Sequence, residues 1–75
     1  MKFSRDVLRR LRKDRAYSLG ALSRLLSTRC GYSVSRSAIC QWEQGKTKPK
    51  ISSLLALADV FQVEPWIFFD NQANK

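Results

Sequence analysis

Apolar residues recur along this chain at helical spacing, separated by short polar stretches. Val7, Leu8 and Leu11 form one stripe, and Leu22, Leu25 and Leu26 form a second with Leu19 beside it. Ala38, Ile39 and Trp42 form a third; Leu54, Leu55, Leu57, Ala58 and Phe61 form a fourth. The first helix is predicted over residues 4–14, with Ser4 as cap and Asp6 in the positive first turn. Ser18 is predicted to cap a second helix that runs through Arg29 and stops at Gly31. Ser35 caps the third, and Gly45 takes the left-handed position beyond its end. A fourth helix follows Lys50 or Ser52. Pro65 suits the first position of a last short helix holding Trp66, Ile67, Phe68 and Phe69. Gly20 either lets another backbone approach or is only a weak helix residue, costing about 1 kcal/mol against alanine. The predicted fold class is all-α, a compact five-helix bundle without strands. One domain is expected over residues 1–70, with a frayed polar tail at residues 71–75.

Residues 35–49 carry the most information. Ala38, Ile39 and Trp42 lie on one face, and Arg36, Ser37, Cys40 and Gln41 lie off it. Lys46, Lys48 and Lys50 follow at once, with Pro49 keeping Lys48 out of helical geometry. A buried stripe anchors such a helix while side chains able to read base edges face outward and nearby lysines hold phosphates. That is the division of labour in a DNA-recognition helix.

Charge sharpens this reading. The 75 residues carry a net charge of +8. Residues 1–15 hold seven Lys/Arg against two acids, and residues 16–50 hold six against one. Beyond residue 50 the balance reverses, with Asp59, Glu64 and Asp70 against Lys75. Such a basic region calls for a polyanionic partner, nucleic acid ahead of an anionic membrane surface. Cys30 and Cys40 are expected to be thiols, since two cysteines make no disulfide framework. With no histidine and no Cys-x-x-Cys, neither a metal site nor a cofactor is expected, and Ser-His or Cys-His catalysis is excluded. The chain has no long apolar run and no signal-like start, so a cytoplasmic location without membrane insertion is expected.

Leu11-Arg12, Ser18 with Leu22, Ser35 to Ile39, Trp42-Glu43-Gln44-Gly45-Lys46, Pro49 and the closing Leu54 to Phe69 together resemble the helix-turn-helix domain of lambdoid phage repressors and Cro proteins. The resemblance to this Cro/C1-type, XRE-like family covers nearly the whole chain. It implies base contacts by Arg36, Ser37 and Gln41, with Cys40 adjacent to a thymine methyl. It implies phosphate contacts by Ser18, Ser35, Lys46, Lys48 and Lys50, and a salt bridge between Arg12 and Glu43, although Arg12 as a phosphate ligand is the alternative. It also implies a dimer on double-stranded DNA, with the C-terminal region as the contact between copies and Trp66 and Phe69 as its candidate surface.

Two departures stand out. Leu19 occupies a position where many relatives carry a phosphate-binding glutamine. The span from Leu22 to Ile39 is also about six residues longer than is usual in the family. The excess falls around residues 27–33 and predicts a lengthened second helix and turn. Arg29 and Tyr32 lie there, and either reach the DNA backbone or face solvent. The expected function is a sequence-specific, non-enzymatic transcriptional regulator, most simply a repressor, that binds the major groove of a palindromic operator as a dimer. The alternative is an antitoxin-like module that binds a protein partner through its C-terminal aromatics.

Overall fold

The computed structural model describes residues 2–70. Its elements, in chain order, are β1 (Lys2–Phe3), α1 (Arg5–Asp14), α2 (Leu19–Cys30), α3 (Arg36–Gln44), α4 (Ile51–Phe61), a single 3-10 turn (Pro65–Phe68) and β2 (Phe69–Asp70). The predicted tail at residues 71–75 lies outside the described residues. The all-helical character holds, with two corrections. Among the described residues there are four α-helices, and the expected fifth is one 3-10 turn, opened by Pro65. A short antiparallel ladder, Lys2 opposite Asp70 and Phe3 opposite Phe69, replaces the expectation of no strands. It joins the two ends of the described chain, and Phe3 stacks on Phe68 with ring centroids 6.1 Å apart.

Local chemistry accounts for most helix ends. The Ser18 hydroxyl accepts from the Ala21 N–H and the Ser35 hydroxyl from the Ala38 N–H, each at 3.0 Å. Ser4 holds the cap position of α1, but its side chain makes no cap bond. Gly31 and Gly45 close α2 and α3 in left-handed conformation, at φ 79° and 78°.

The core is built from Leu8, Leu22, Leu26, Val34, Ile39, Trp42, Leu54, Leu57, Phe61 and Phe68, with Ala56 and Ala58 between them. The fourth stripe was read one residue too wide. Leu55 is 52% exposed, because α4 buries Leu54, Leu57, Ala58 and Phe61 and turns Leu55 away. The long α2 and its turn are tied down by hydroxyls. Ser23 Oγ donates to the Val34 carbonyl, and Val34 N–H donates to Ser27 Oγ at 2.8 Å. Both backbone groups of Val34 are thereby held on α2, just before α3 begins. The added residues therefore do not leave α3 on a loose tether.

Candidate nucleic-acid interface

α3 buries Ile39 and Trp42 and half-buries Ala38, and this fixes what its other side presents. Arg36, Ser37, Gln41 and Gln44 are exposed on that side, with Cys40 half-buried among them. Gln44 Nε2 approaches Cys40 Sγ at 3.4 Å. Sequence reasoning passed over Gln44, although its spacing of four from Cys40 and three from Gln41 puts it on the same face. Both cysteines are free thiols.

The C-terminal end of α3 is fastened to α1. Arg12 Nε meets Glu43 Oε2 at 2.6 Å and Arg12 Nη2 meets Glu43 Oε1 at 3.0 Å, a two-pronged pair. Arg12 Nη1 donates to the Tyr17 carbonyl at 3.0 Å. The two side chains are only 14% and 9% exposed. The hydrogen bonds that Arg12 donates to Glu43 raise its guanidinium above its ordinary pKa, against the lowering effect of burial. Arg12 and Glu43 are thus partners, the arrangement that the family resemblance implies. Arg5, on the polar side of α1, donates from Nη1 to the Gln44 carbonyl at 2.7 Å. Gly45 allows this, since a Cβ there would lie 2.8 Å from the same Arg5 nitrogen.

A cleft opens between the starts of α2 and α3, lined by Ser18, Leu19, Gly20, Arg24, Arg36, Ser37 and Cys40. Gly20 faces α3, and a Cβ on it would sit 3.4 Å from the Arg36 side chain. That distance is ordinary van der Waals contact with a flexible side chain, so the position tolerates a Cβ and Gly20 is here only a weak helix residue. Arg24 joins the cleft because it follows Gly20 by one helical turn. That signal becomes readable only once Gly20 is known to face α3.

Lys46 and Lys48 are exposed in the loop after α3, and Lys50 is the exposed cap residue of α4. Ser18 and Ser35 are exposed caps. The two residues of the lengthened segment diverge. Arg29 pairs with Asp59 on α4 at 2.7 Å, an acidic partner that competes with any phosphate. The Tyr32 hydroxyl lies 2.7 Å from Ser52 Oγ and 2.9 Å from Ser53 Oγ, and its side chain shares a cleft with Ser35, Lys48 and Lys50. The aromatic pair separates as well. Trp66 is 65% exposed, whereas Phe69 packs against the core from β2. No helix among the described residues is long and apolar enough to cross a membrane.

Capped helices, a buried α3 stripe and an outward polar face bordered by lysines define a helix-turn-helix module. The helix-turn-helix family model matches residues 8–65, and the chain belongs to that family, in its Cro/C1-type, XRE-like branch of DNA-binding transcription regulators. Among solved structures it is similar to the P22 c2 repressor, crystallised in complex with the synthetic operator 9T in the presence of Tl+. The two share 28% identity, with a TM-score of 0.73, over 96% of this chain and 100% of that one. No curated protein matches this chain.

Proposed function

We propose that this protein is a sequence-specific repressor that binds double-stranded DNA as a homodimer on a palindromic operator, through the single domain of residues 1–70. One observation carries the reading. α3 is anchored by Ile39 and Trp42 and by the Arg12–Glu43 bridge, and presents Arg36, Ser37 and Gln41 to the outside. These side chains suit base edges, with Arg36 matched to guanine and Gln41 to adenine, and Cys40 beside them. Ser18, Ser35, Lys46, Lys48 and Lys50 surround them as backbone contacts. The likeness to a repressor crystallised with its operator supports the same use here. Two copies would set their α3 helices in successive major grooves about 34 Å apart. The protein would act in the cytoplasm, where the DNA is.

Selection of bound duplexes from a random library tests this. A palindromic motif with half-sites one helical turn apart is the expected result; retention without any enriched motif would reduce the protein to a non-specific polycation. Once the operator is known, Arg36→Ala and Gln41→Ala should each cost about 1–3 kcal/mol of operator binding and relax specificity at one position. Unaltered discrimination in both variants would remove α3 as the reader. Lys48→Ala should weaken all duplexes alike and lower the slope of log K against log salt by about 0.9. An unchanged slope would take Lys48 out of the phosphate set.

Trp66 favours a second reading. An indole 65% exposed beside buried Phe68 suits a protein contact, either a second copy or an antitoxin-like partner. Trp66→Ala separates this from DNA reading, since it should disturb association and leave the selected half-site unchanged.

A further inference from the structure

The polar residues of α1 divide by sign. Asp6, Arg10 and Asp14 follow one another at intervals of four along one flank and offset each other's charge. The adjoining flank carries Arg5, Arg9, Arg12 and Lys13, with Asp6 at its border. Like charges at i and i+4, as in Arg5–Arg9 and Arg9–Lys13, disfavour a helix, so something other than helix stability accounts for this flank.

The structure fixes its direction. Arg5 donates to the Gln44 carbonyl and Arg12 pairs with Glu43, so both ends of the flank meet the C-terminal end of α3. Arg9 lies one turn after Arg5 and one turn before Arg12, and is exposed. Among the described residues neither Arg9 nor Arg10 has a hydrogen-bond acceptor or an ion-paired carboxylate, and of the two it is Arg9 that lies beside Arg5 and Arg12. Glu43, the acid of α3, is engaged by Arg12 at both oxygens. A cleft lined by Phe3, Ser4, Arg5, Asp6 and Gly45 to Lys48 joins this flank to the lysine loop, with Asp6 as its one acid. Lys46, Lys48 and Arg5 thus border one cleft, and Arg9 and Lys13 follow Arg5 along α1 at intervals of four.

We propose that this flank of α1 is a second backbone-binding track, with Arg9 a phosphate ligand and Arg5 a positioning residue that holds the end of α3 against it. The inference rests on the DNA-binding reading and extends it, since a helix outside the helix-turn-helix pair then shares the duplex. The ligand is the phosphodiester backbone, recognised by charge and not by sequence. Arg10 serves as an internal control. It sits on the same helix, is likewise exposed, lies about 100° further round from Arg9, and has Asp6 and Asp14 one turn away on either side.

The experiment is the salt dependence of duplex binding, followed by anisotropy, for the full chain and for Arg9→Ala and Arg10→Ala. Arg9→Ala should lower the salt slope by about 0.9, weaken operator and unrelated duplexes by the same factor, and keep the parent's melting temperature. Arg10→Ala should leave the slope at the parent value. A parent-like slope for Arg9→Ala overturns the track, and so does an equal fall in both variants, which would mean that only bulk charge counts. If the parent itself binds no duplex, the proposed function falls, which is distinct from either of those results.

Discussion

Phe61→Ala should be the most damaging single change in this protein, lowering stability by about 3–5 kcal/mol. Phe61 is fully buried in the last turn of α4. Its ring is 6.0 Å from that of Tyr17, and the Arg15 guanidinium carbon lies 5.8 Å from its centroid. Arg15 Nη2 also donates to the Phe61 carbonyl at 2.7 Å, so this residue holds the turn between α1 and α2 against α4. Truncation removes the apolar burial and the ring contacts with Tyr17 and Arg15 together, while the carbonyl that accepts from Arg15 remains. A domain of this size has a total stability of roughly 4–11 kcal/mol, so about half or more of it would go. The melting temperature, followed by far-ultraviolet circular dichroism, should fall by roughly 15–30 °C. Phe61→Leu should recover much of the loss. If the alanine variant melts within a few degrees of the parent, α4 is not packed as described.

Glu43→Ala should be the second largest, and it connects stability to function. The carboxylate is the partner of an arginine that stays charged at every working pH. Removing it leaves a guanidinium that is 14% exposed with only the Tyr17 carbonyl to face. A fully buried pair broken on one side costs about 3–5 kcal/mol; partial exposure of Arg12 brings the expectation to about 2–4 kcal/mol. The converse follows from the same physics. Replacing both partners, as in Arg12→Met with Glu43→Leu, should cost less than Glu43→Ala alone, because no charge is stranded. Melting curves of the single and double variants decide it. A double variant that melts lower than Glu43→Ala would mean that the pair contributes net attraction beyond cancelling its own desolvation. Operator affinity should fall with Glu43→Ala even where the protein is still folded, since the bridge holds the end of α3 that carries Gln41 and Gln44.

The sequence by itself determined the four helices, their caps at Ser18 and Ser35, their stops at Gly31 and Gly45, and the two-faced character of α3. These features are local. A hydroxyl reaching an N–H three residues on, a glycine at positive φ and an apolar stripe at helical spacing are all settled within a few residues. The Arg12–Glu43 partnership, 31 residues apart, was legible only through the family resemblance. Tertiary structure alone decided the rest. The Phe3–Phe69 ladder joins two-residue segments too short to show a period. Leu55 lost its place in the core because α4 presents only part of its wide stripe to its neighbours. Arg29 found Asp59 across from it while still exposed, and Trp66 was left exposed when Phe68 and Phe69 turned inward. Arg5 gained its role only when α1 was brought against α3. In each case the deciding partner lies on another element, and spacing along the chain carries no record of which side chains a packed core brings together.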